Sequence, residues 1–405
     1  MSRVLIVVPP LTGHVNPTVG LGEELKARGH HVAWAGLPGV VDELLPQRAS
    51  FLPVVGSLSV AAVEEMHRRG SGLRGAEALK FLWEGFIIPY AEATTGALCE
   101  AARAFEPDVM VVDQQAIGGA VAARLLGVPW VTSASTSAEL TAPLAALPRV
   151  ADWVRAKMSD LQIGLGVDPE RAVGSDLRFS DLLVLAYTTQ ELVGEVTVPS
   201  GPVRFVGPCI APRGDPTPFP WEWLDPRRRH VLVTLGTVNQ EMGRRFFAAA
   251  VEAASAAGVQ AVLVAPRELL GALPAGDLVW VQPKIPQLEL LGQMDAVVTH
   301  GGHNTVCESL ALGLPLVLAP IRDDQPIIAD QVVRAGAGVR VKFGRVTAAE
   351  LGEALSSVLE CPSYREAAAT IRRSFSEAGG ALAAADAVEE VLARDLAVSL
   401  TCDAC

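Results

Sequence analysis

Short apolar runs alternate with helical patterns along almost the whole chain, and this alternation constrains the fold more than any other feature. The runs are rich in Val, Leu and Ile, and in chain order they are RVLIVV, HHVAWA, DVMVV, VPWVTS, HVLVTLGT, QAVLVA, DLVWVQ, DAVVTH, LPLVLAP and GVRVKF. Strands that are apolar throughout are typical of parallel sheets covered by helices on both faces, because neither side of such a strand meets water. The pattern therefore predicts an α/β protein with parallel sheets.

A proline-dense stretch divides the alternation into two halves of similar size. It cannot pair as a central strand, because proline has no backbone N–H to donate. We predict a Rossmann-like domain over residues 1–205, a linker over 206–229, a second Rossmann-like domain over 230–380, and a C-terminal helix and tail over 381–405. In open parallel sheets ligands bind beyond the carboxyl ends of the strands, so the loops at those ends are the candidates for function.

Composition narrows the class of protein. Of the 405 residues 50% are hydrophobic, and 33 basic against 45 acidic side chains give a net charge of −12, which argues against a general nucleic-acid binder. The N-terminus is too strand-like for a signal peptide, and no apolar run is long enough to span a bilayer. Scattered cysteines predict reduced thiols in a cytoplasmic protein, a monomer or a homodimer, and leave the role of the C-x-x-C tail open.

A glycine-rich loop, HGGHNT, follows the run DAVVT and precedes an apolar helical pattern. Gly301 and Gly302 allow the backbone to approach a ligand closely. Asn304 and Thr305 are suited to cap the helix that follows. The N-terminus of that helix offers free N–H groups and a partial positive charge, so the loop predicts a phosphate site.

Further residues near strand ends strengthen the interpretation of this loop. Gly236 and Thr237 form a second turn of small residues that would reach the same phosphates, and the carboxylate of Glu308 is suited to ribose hydroxyls. Glycine turns between strand and helix are common, and alone the loop would indicate only the start of a helix. The occurrence of His300, Glu308 and the later DDQ at consistent strand ends favours a ligand site.

A histidine in the first loop, PPLTGHVNP, is the candidate general base. We expect His14 in a glycine-flanked turn just ahead of the first helix, facing the carboxyl edge of the sheet. An imidazole with an ordinary pKa of ~6.5 is suited to take a proton near neutrality. Asp113 ends the run DVMVVD, and its carboxylate would fix the tautomer of the imidazole. A helix cap is the alternative role for Asp113.

Taken together, HGGHNTVCES and DDQ resemble the donor-binding signature of the family 1 glycosyltransferases, and the resemblance covers nearly the whole chain. It implies the GT-B fold, with two Rossmann-like domains facing a cleft and C-terminal helices packing back on the N-terminal domain. It also implies that the matching residues bind a nucleoside-diphosphate sugar, which is a co-substrate, with no other cofactor. The predicted donor-binding residues are Gly13, Gly236, Thr237, Ile285, Gln287, His300, Gly301, Gly302, Asn304, Thr305, Glu308, Asp324 and Gln325.

The resemblance implies an inverting transfer with His14 and Asp113 as the catalytic pair. The chain has no D-x-D pair, so we expect no metal at the diphosphate. The family's acceptor region points to Trp83, Phe86 and Ser135 as acceptor-binding residues, although core packing is the alternative for each aromatic side chain. An aromatic-lined pocket would suit a lipophilic acceptor. The Ala- and Arg-rich composition is typical of a high-GC bacterium, so by analogy we expect a bacterial secondary metabolite, as in antibiotic biosynthesis.

One position departs from the family pattern. The tetrad KIPQ carries Lys284 where the family often has a tryptophan that stacks on the donor base. The base, UDP or TDP, and the sugar therefore stay open, as do the acceptor and the linkage through oxygen or nitrogen.

Three other functions are alternatives. A nucleotide-sugar epimerase or hydrolase of the same fold would need further acid and base groups, which the sequence does not indicate. A NAD-dependent dehydrogenase would need G-x-G-x-x-G after the first strand, and GHVNPTVGLG lacks it. A non-catalytic activator protein of the same fold would have no need of His14, Asp113 and DDQ.

Overall fold

A computed structural model describes the chain over residues 1–70, 72–212, 217–236, 243–270 and 277–402. Thr237 and Cys405, the last residue of the C-x-x-C tail, lie outside these ranges. Contacts divide the chain into two compact units. The first comprises Met1–Thr188, Glu195–Ala211 and the described part of Ala378–Cys405, and the second comprises Thr189–Gly194 and Pro212–Glu377.

The first unit is built on a sheet of seven parallel strands in the order β3-β2-β1-β4-β5-β6-β7. Its strands are β1 (Arg3–Val7), β2 (His31–Gly36), β3 (Ser50–Pro53), β4 (Val109–Asp113), β5 (Trp130–Ala134), β6 (Val184–Ala186) and β7 (Val203–Phe205). Its helices up to β6 are α1 (Thr12–Ala27), α2 (Val41–Leu44), α3 (Val60–Gly70), α4 (Gly75–Phe81), α5 (Ile88–Phe105), α6 (Ile117–Leu126), α7 (Pro148–Gly164) and α8 (Pro169–Ala172).

The second unit is built on a sheet of six parallel strands in the order β10-β9-β8-β11-β12-β13. Its strands are β8 (His230–Thr234), β9 (Gln260–Val264), β10 (Val279–Gln282), β11 (Ala296–Thr299), β12 (Leu316–Leu318) and β13 (Gly338–Arg340). Its helices are α9 (Gln190–Val193), α10 (Arg244–Ala257), α11 (Arg267–Leu270), α12 (Gln287–Leu291), α13 (His303–Ala311), α14 (Gln325–Arg334), α15 (Ala348–Glu360) and α16 (Pro362–Ala378).

The two parallel sheets confirm the α/β class that the apolar runs predict. In the central strands β1, β4, β8 and β11 almost every residue is buried, because helices pack on both faces. Between α4 and α5 a π-helix spans Leu82–Ile87. In the part of the chain that the structure describes, none of the helices combines the length and apolarity that a membrane span requires.

The last helix, α17 (Gly380–Cys402), packs on α1 of the first unit, as predicted for the C-terminal segment. Small and branched side chains form its buried face, and they join the core between α1 and the sheet. A polar contact reinforces this packing, because the guanidinium of Arg28 donates to the carboxylates of Asp386 at 2.6 Å and Glu389 at 2.7 Å. The imidazole of His30 also contacts Glu389, at 2.9 Å.

Truncation of a buried valine on α17 tests this packing. Val388 is fully buried, and we expect Val388→Ala to lower the free energy of unfolding by roughly 2 kcal/mol, from the lost methyl groups and the cavity left behind. Leu382→Ala is the matched control, because Leu382 lies on the same helix and is 58% exposed. Denaturant unfolding measures both variants, and equal losses of stability in the two would contradict the packing of α17.

Candidate active site

His14 lies in the first turn of α1 and not in a loop ahead of it, which corrects the expectation from the sequence. The helix begins at Thr12, two residues before His14, after Leu11 in extended conformation. The backbone N–H of His14 donates to the carbonyl of Leu11 at 2.9 Å. Gly13 is the exposed second residue of the helix, so the imidazole is held by a regular helical turn at the carboxyl end of β1.

The imidazole of His14 is bound to the carboxylate of Asp113. Strands β1 and β4 are neighbours in register, so the residues that follow one lie beside the end of the other. The His14 Nδ1 atom lies 2.8 Å from Oδ1 of Asp113, whose side chain is fully buried. The same oxygen accepts from the backbone N–H of Gln115 at 2.8 Å, while Ala116 is the N-cap of α6. Asp113 therefore holds the turn after β4 and does not cap the helix.

A third polar group contacts the same ring nitrogen. The hydroxyl oxygen of Ser135 lies 2.7 Å from Nδ1 of His14. Ser135 directly follows β5, the strand next to β4, and it is 3% exposed. The sequence predicts an acceptor contact for Ser135 and gives no indication of its contact with His14. The sequence feature that could have indicated this contact is the position of Ser135 directly after β5, since β5 is the neighbour of the strand that ends in Asp113.

The predicted aromatic acceptor residues lie in the core of the first unit. Trp83 and Phe86 are on the π-helix, are 3% and 5% exposed, and belong to the largest buried cluster of that unit. The guanidinium of Arg178 lies 5.6 Å from the centre of the Trp83 ring, and Phe86 stacks on Tyr90 at 5.9 Å. Their contact with an acceptor stays a prediction.

In the second unit His300 follows β11, next to the end of β8, and two glycines flank its ring. A Cβ atom on Gly236 would lie 2.6 Å from Cε1 of His300, and one on Gly302 would lie 2.5 Å from Nε2. Gly236 also has a φ of +70°, which side chains disfavour. Only glycine at these two positions leaves room for the imidazole in its observed orientation.

The imidazole of His300 is neutral at neutral pH. Burial lowers the pKa of His300 to about 4, because a charged ring would lose its hydration. A hydrogen bond with the backbone of Thr234 acts in the opposite direction, and the guanidinium of Arg322 adds to the lowering. His300 therefore offers a ligand a hydrogen bond without formal charge.

The helix after the HGGHNT loop begins two residues earlier than a cap at Asn304 would require. Gly302 is the N-cap of α13, and Asn304 and Thr305 are the second and third residues of the helix, so the prediction that they cap it is wrong. The reason is the extended backbone of Gly302, at φ −63° and ψ 134°, from which the helix starts at His303. Because glycine has no side chain, no side chain of the N-cap residue occupies the N-terminus of α13.

A side-chain hydrogen bond joins two segments of the donor-binding signature. Gln287 begins α12 and donates from Nε2 to Oε2 of Glu308 at 2.6 Å, which joins the KIPQ and CES segments. Ile285 packs against the core of the second unit, while Lys284 is exposed and its carbonyl accepts from the side-chain amide of Gln282. The sequence predicts both Gln287 and Glu308 as donor-binding residues but not their contact.

The DDQ segment lies beside the glycine loop. Asp324 is the N-cap of α14, and Gln325 is 5% exposed. The amide oxygen of Gln325 accepts from the backbone of Ile321 at 2.9 Å and of Arg322 at 3.2 Å, so it fixes the loop after β12. A Cβ atom on Gly301 would lie 3.2 Å from the carbonyl oxygen of Gln325, which shows that the two loops touch.

The predicted residues thus form two groups, one in each unit. The first is a histidine–carboxylate–hydroxyl array suited to moving a proton, and the second is a pair of loops with a neutral histidine and a helix N-terminus whose N-cap residue is glycine, suited to an anion. Within the described ranges, the side chains of His, Cys, Asp and Glu form no group of three or more that would hold a metal ion.

Known proteins resemble this chain over most of its length. Residues 202–376 match the family described as UDP-glucoronosyl and UDP-glucosyl transferase. Over 96% of this chain and 99% of the relative, the sequence is 31% identical to 4'-demethylrebeccamycin synthase of Lentzea aerocolonigenes. It is 30% identical to demethyllactenocin mycarosyltransferase of Streptomyces fradiae, over 97% of this chain and 87% of the relative.

Solved structures show the same fold. The glycotransferase of kitacinnamycin is 26% identical, with a TM-score of 0.73 over 96% of this chain and 99% of that chain. The glycosyltransferase VinC is 20% identical, with a TM-score of 0.75 over 97% of this chain and 100% of that chain. The chain therefore belongs to the family of UDP-glucoronosyl and UDP-glucosyl transferases, the family 1 glycosyltransferases of GT-B fold, and it is a glycosyltransferase.

Proposed function

We propose that this enzyme moves a sugar from a nucleoside diphosphate to a hydroxyl group of a lipophilic small molecule, with inversion at the anomeric carbon and without a metal. The observation that carries the proposal is the 2.8 Å hydrogen bond between Nδ1 of His14 and Oδ1 of Asp113. A carboxylate on Nδ1 keeps the hydrogen there, so Nε2 has a lone pair and is the basic atom.

The reaction then follows as one displacement. Nε2 of His14 takes the proton of the acceptor hydroxyl while the oxygen attacks the anomeric carbon. The bond from that carbon to the diphosphate oxygen breaks, and the nucleoside diphosphate leaves with the electron pair. Attack from the face opposite the leaving group inverts the configuration. The buried carboxylate of Asp113 stabilises the imidazolium that forms, because the attraction between unlike charges is strong where water is excluded.

The donor interacts with the second group of residues. The diphosphate accepts from the N-terminus of α13 and from the neutral imidazole of His300, whose hydrogen bonds and dipole stabilise the negative charge of the leaving group. Glu308, held by Gln287, accepts from ribose hydroxyls. Asp324 and the amide of Gln325 bind hydroxyls of the sugar.

The names of the relatives support the class of acceptor. 4'-Demethylrebeccamycin synthase and demethyllactenocin mycarosyltransferase are both named for natural products, and both match almost the whole chain. We infer that the acceptor here is also a bacterial natural product. Assay of a panel of nucleoside-diphosphate sugars against such acceptors, with detection of the glycosylated product, tests the proposed function. Release of nucleoside diphosphate without any acceptor would favour a hydrolase.

Replacement of the base tests the catalytic pair. We expect His14→Ala to lower kcat by ~10²–10⁴-fold, the usual range for loss of a general base, while the affinity for nucleoside diphosphate stays unchanged. His31→Ala, at an exposed histidine of the same unit, is the control and should keep full activity. Calorimetry measures the affinity. Full activity in His14→Ala would refute the assignment, and parallel loss of affinity would make His14 a residue of the donor site.

The carboxylate partner has its own test. We expect Asp113→Asn to lower kcat, because a neutral amide no longer stabilises the imidazolium. Combined with His14→Ala, it should lower kcat by less than the product of the two single effects, since the pair acts as one unit. Steady-state kinetics of the two single variants and the double variant form the cycle, and multiplicative effects would show that the two residues act independently.

The contact between Gly236 and His300 predicts a loss of donor affinity. We expect Gly236→Ala to displace the imidazole and to weaken binding of nucleoside diphosphate by roughly tenfold, or about 1.4 kcal/mol. Gly258→Ala is the matched control, because Gly258 has a φ of +66° in the same unit but no atom within 4 Å of the added Cβ. Calorimetric titration compares the two variants. Equal affinities would show that His300 does not hold the diphosphate.

Metal removal tests the proposal that helix dipole and hydrogen bonds stabilise the leaving group. We expect transfer to keep its rate in excess EDTA, since the chain has no D-x-D pair. We would measure initial rates of transfer with and without chelator, and again after addition of magnesium, to test whether turnover needs a metal. Loss of turnover in EDTA with recovery in magnesium would contradict it.

A further inference from the structure

We propose that Ser135 is a positioning residue for His14: its hydroxyl oxygen accepts a hydrogen bond from Nδ1–H, so the hydrogen of the neutral ring stays on Nδ1 and Nε2 is the basic atom. The inference rests on the proposed function, which makes His14 the base. It assigns Ser135 a role different from the acceptor contact that the sequence predicts.

The count of hydrogens around Nδ1 leads to this assignment. Asp113 Oδ1 and Ser135 Oγ lie 2.8 Å and 2.7 Å from the same nitrogen. An ionised carboxylate has no hydrogen to give, so the hydrogen between Asp113 and His14 must be on Nδ1. The nitrogen then has no lone pair for the hydroxyl of Ser135, and Ser135 accepts from the same N–H in a three-centre hydrogen bond.

The fold keeps the hydroxyl in this position. Ser135 is 3% exposed, so bulk water does not compete for its oxygen. Its backbone N–H donates to the carbonyl of Ser133 at 3.1 Å, directly after β5. β5 pairs in register with β4, which carries Asp113. The two acceptors of Nδ1 are thus anchored on adjacent strands of one sheet, and the imidazole is held between them.

Two buried titratable side chains near α1 stay neutral in the range of a measurement on His14. They are Tyr187 and Cys209, which lie beyond β6 and β7 and share a buried cluster with Val15 of α1. Burial raises the pKa of Tyr187 well above its ordinary value, and it raises the pKa of Cys209 to about 12. Both stay neutral over the range of a kinetic assay.

The direction in which the pKa of His14 should change depends on whether the Ser135 oxygen stabilises the imidazolium or the neutral ring. A hydroxyl that accepts from Nδ1–H binds the imidazolium more strongly than the neutral ring, because a hydrogen bond from a charged donor is stronger. Removal of the oxygen should therefore lower the pKa of His14 and weaken it as a base. A hydroxyl that instead donates to Nδ1 would favour the neutral ring with its hydrogen on Nε2, and its removal would have the opposite effect.

The pH dependence of kcat distinguishes these cases. For Ser135→Ala we expect the acidic limb to move to lower pH by about half a unit to one unit, with kcat on the plateau lowered roughly three- to tenfold and the acceptor KM unchanged. Ser135→Thr keeps the hydroxyl and should restore the position of the limb. Ser135→Cys keeps the volume but offers a weak acceptor, so it should shift the limb as Ser135→Ala does, and it serves if the alanine variant does not fold.

The matched control is Ser133→Ala. Ser133 is fully buried on the same strand and donates to the hydroxyl of Tyr187 at 3.2 Å. Its replacement removes a buried hydroxyl two residues away and should leave the limb in place. A limb that moves to higher pH in Ser135→Ala, or one that stays in place, would overturn the inference. A raised acceptor KM with an unmoved limb would return Ser135 to the acceptor site.

A measurement that needs no turnover separates this inference from the proposed function. NMR titration of the His14 ring, assigned by comparison with His14→Gln, gives its pKa and its tautomer directly. We expect the neutral ring to carry its hydrogen on Nδ1, and the pKa to fall in Ser135→Ala and Ser135→Cys. A neutral ring with its hydrogen on Nε2, or a pKa that does not fall, would overturn the inference. If no donor and acceptor pair gives transfer, the proposed function fails, and this titration still decides the role of Ser135.

Discussion

Parallel pairing of β1 with β4 is the constraint on which the arrangement around His14 depends. Parallel strands end at the same edge of a sheet, so residues that follow β1 meet residues that end β4. His14 and Asp113 are 99 positions apart in the chain, and this pairing brings their side chains to 2.8 Å. The next strand, β5, adds Ser135 at the same edge. One topological rule thus assembles three polar groups from three distant segments.

The charged and polar groups that the two units offer to a ligand differ in kind. In the first unit a fully buried carboxylate lies against an imidazole, and the second oxygen of Asp113 is buried without a hydrogen-bond partner among the described residues. Its charge is therefore balanced mainly through Nδ1 of His14 and the backbone of Gln115. In the second unit a neutral His300 and the N-terminus of α13 offer dipoles. A protein with a net charge of −12 can in this way attract an anion locally without a basic surface.

The sequence predicts the fold and much of the site because those features follow from local pattern. Apolar runs predict buried parallel strands. The ends of those runs predict that His14, Asp113 and the HGGHNT loop lie at the carboxyl edges of the sheets. The sequence places the start of α1 too late because Gly13 resembles a turn residue, whereas the extended segment ends at Leu11. It places the cap of α13 too late because asparagine has a strong capping preference, while the ring of His300 leaves room only for glycine at position 302.

Contacts between distant side chains could not be predicted from the sequence, because the spacing of residues along the chain does not give the direction of a side chain. The bond between Gln287 and Glu308 and the contact between Ser135 and His14 both depend on register between elements. The most direct test of the central claim, that His14 removes the acceptor proton, is kcat for a series of phenol acceptors of graded pKa. We expect a shallow dependence on acceptor pKa in the unmodified enzyme and a steep one in His14→Ala, with acidic phenols approaching the unmodified rate. Equal slopes in the two proteins would contradict the claim.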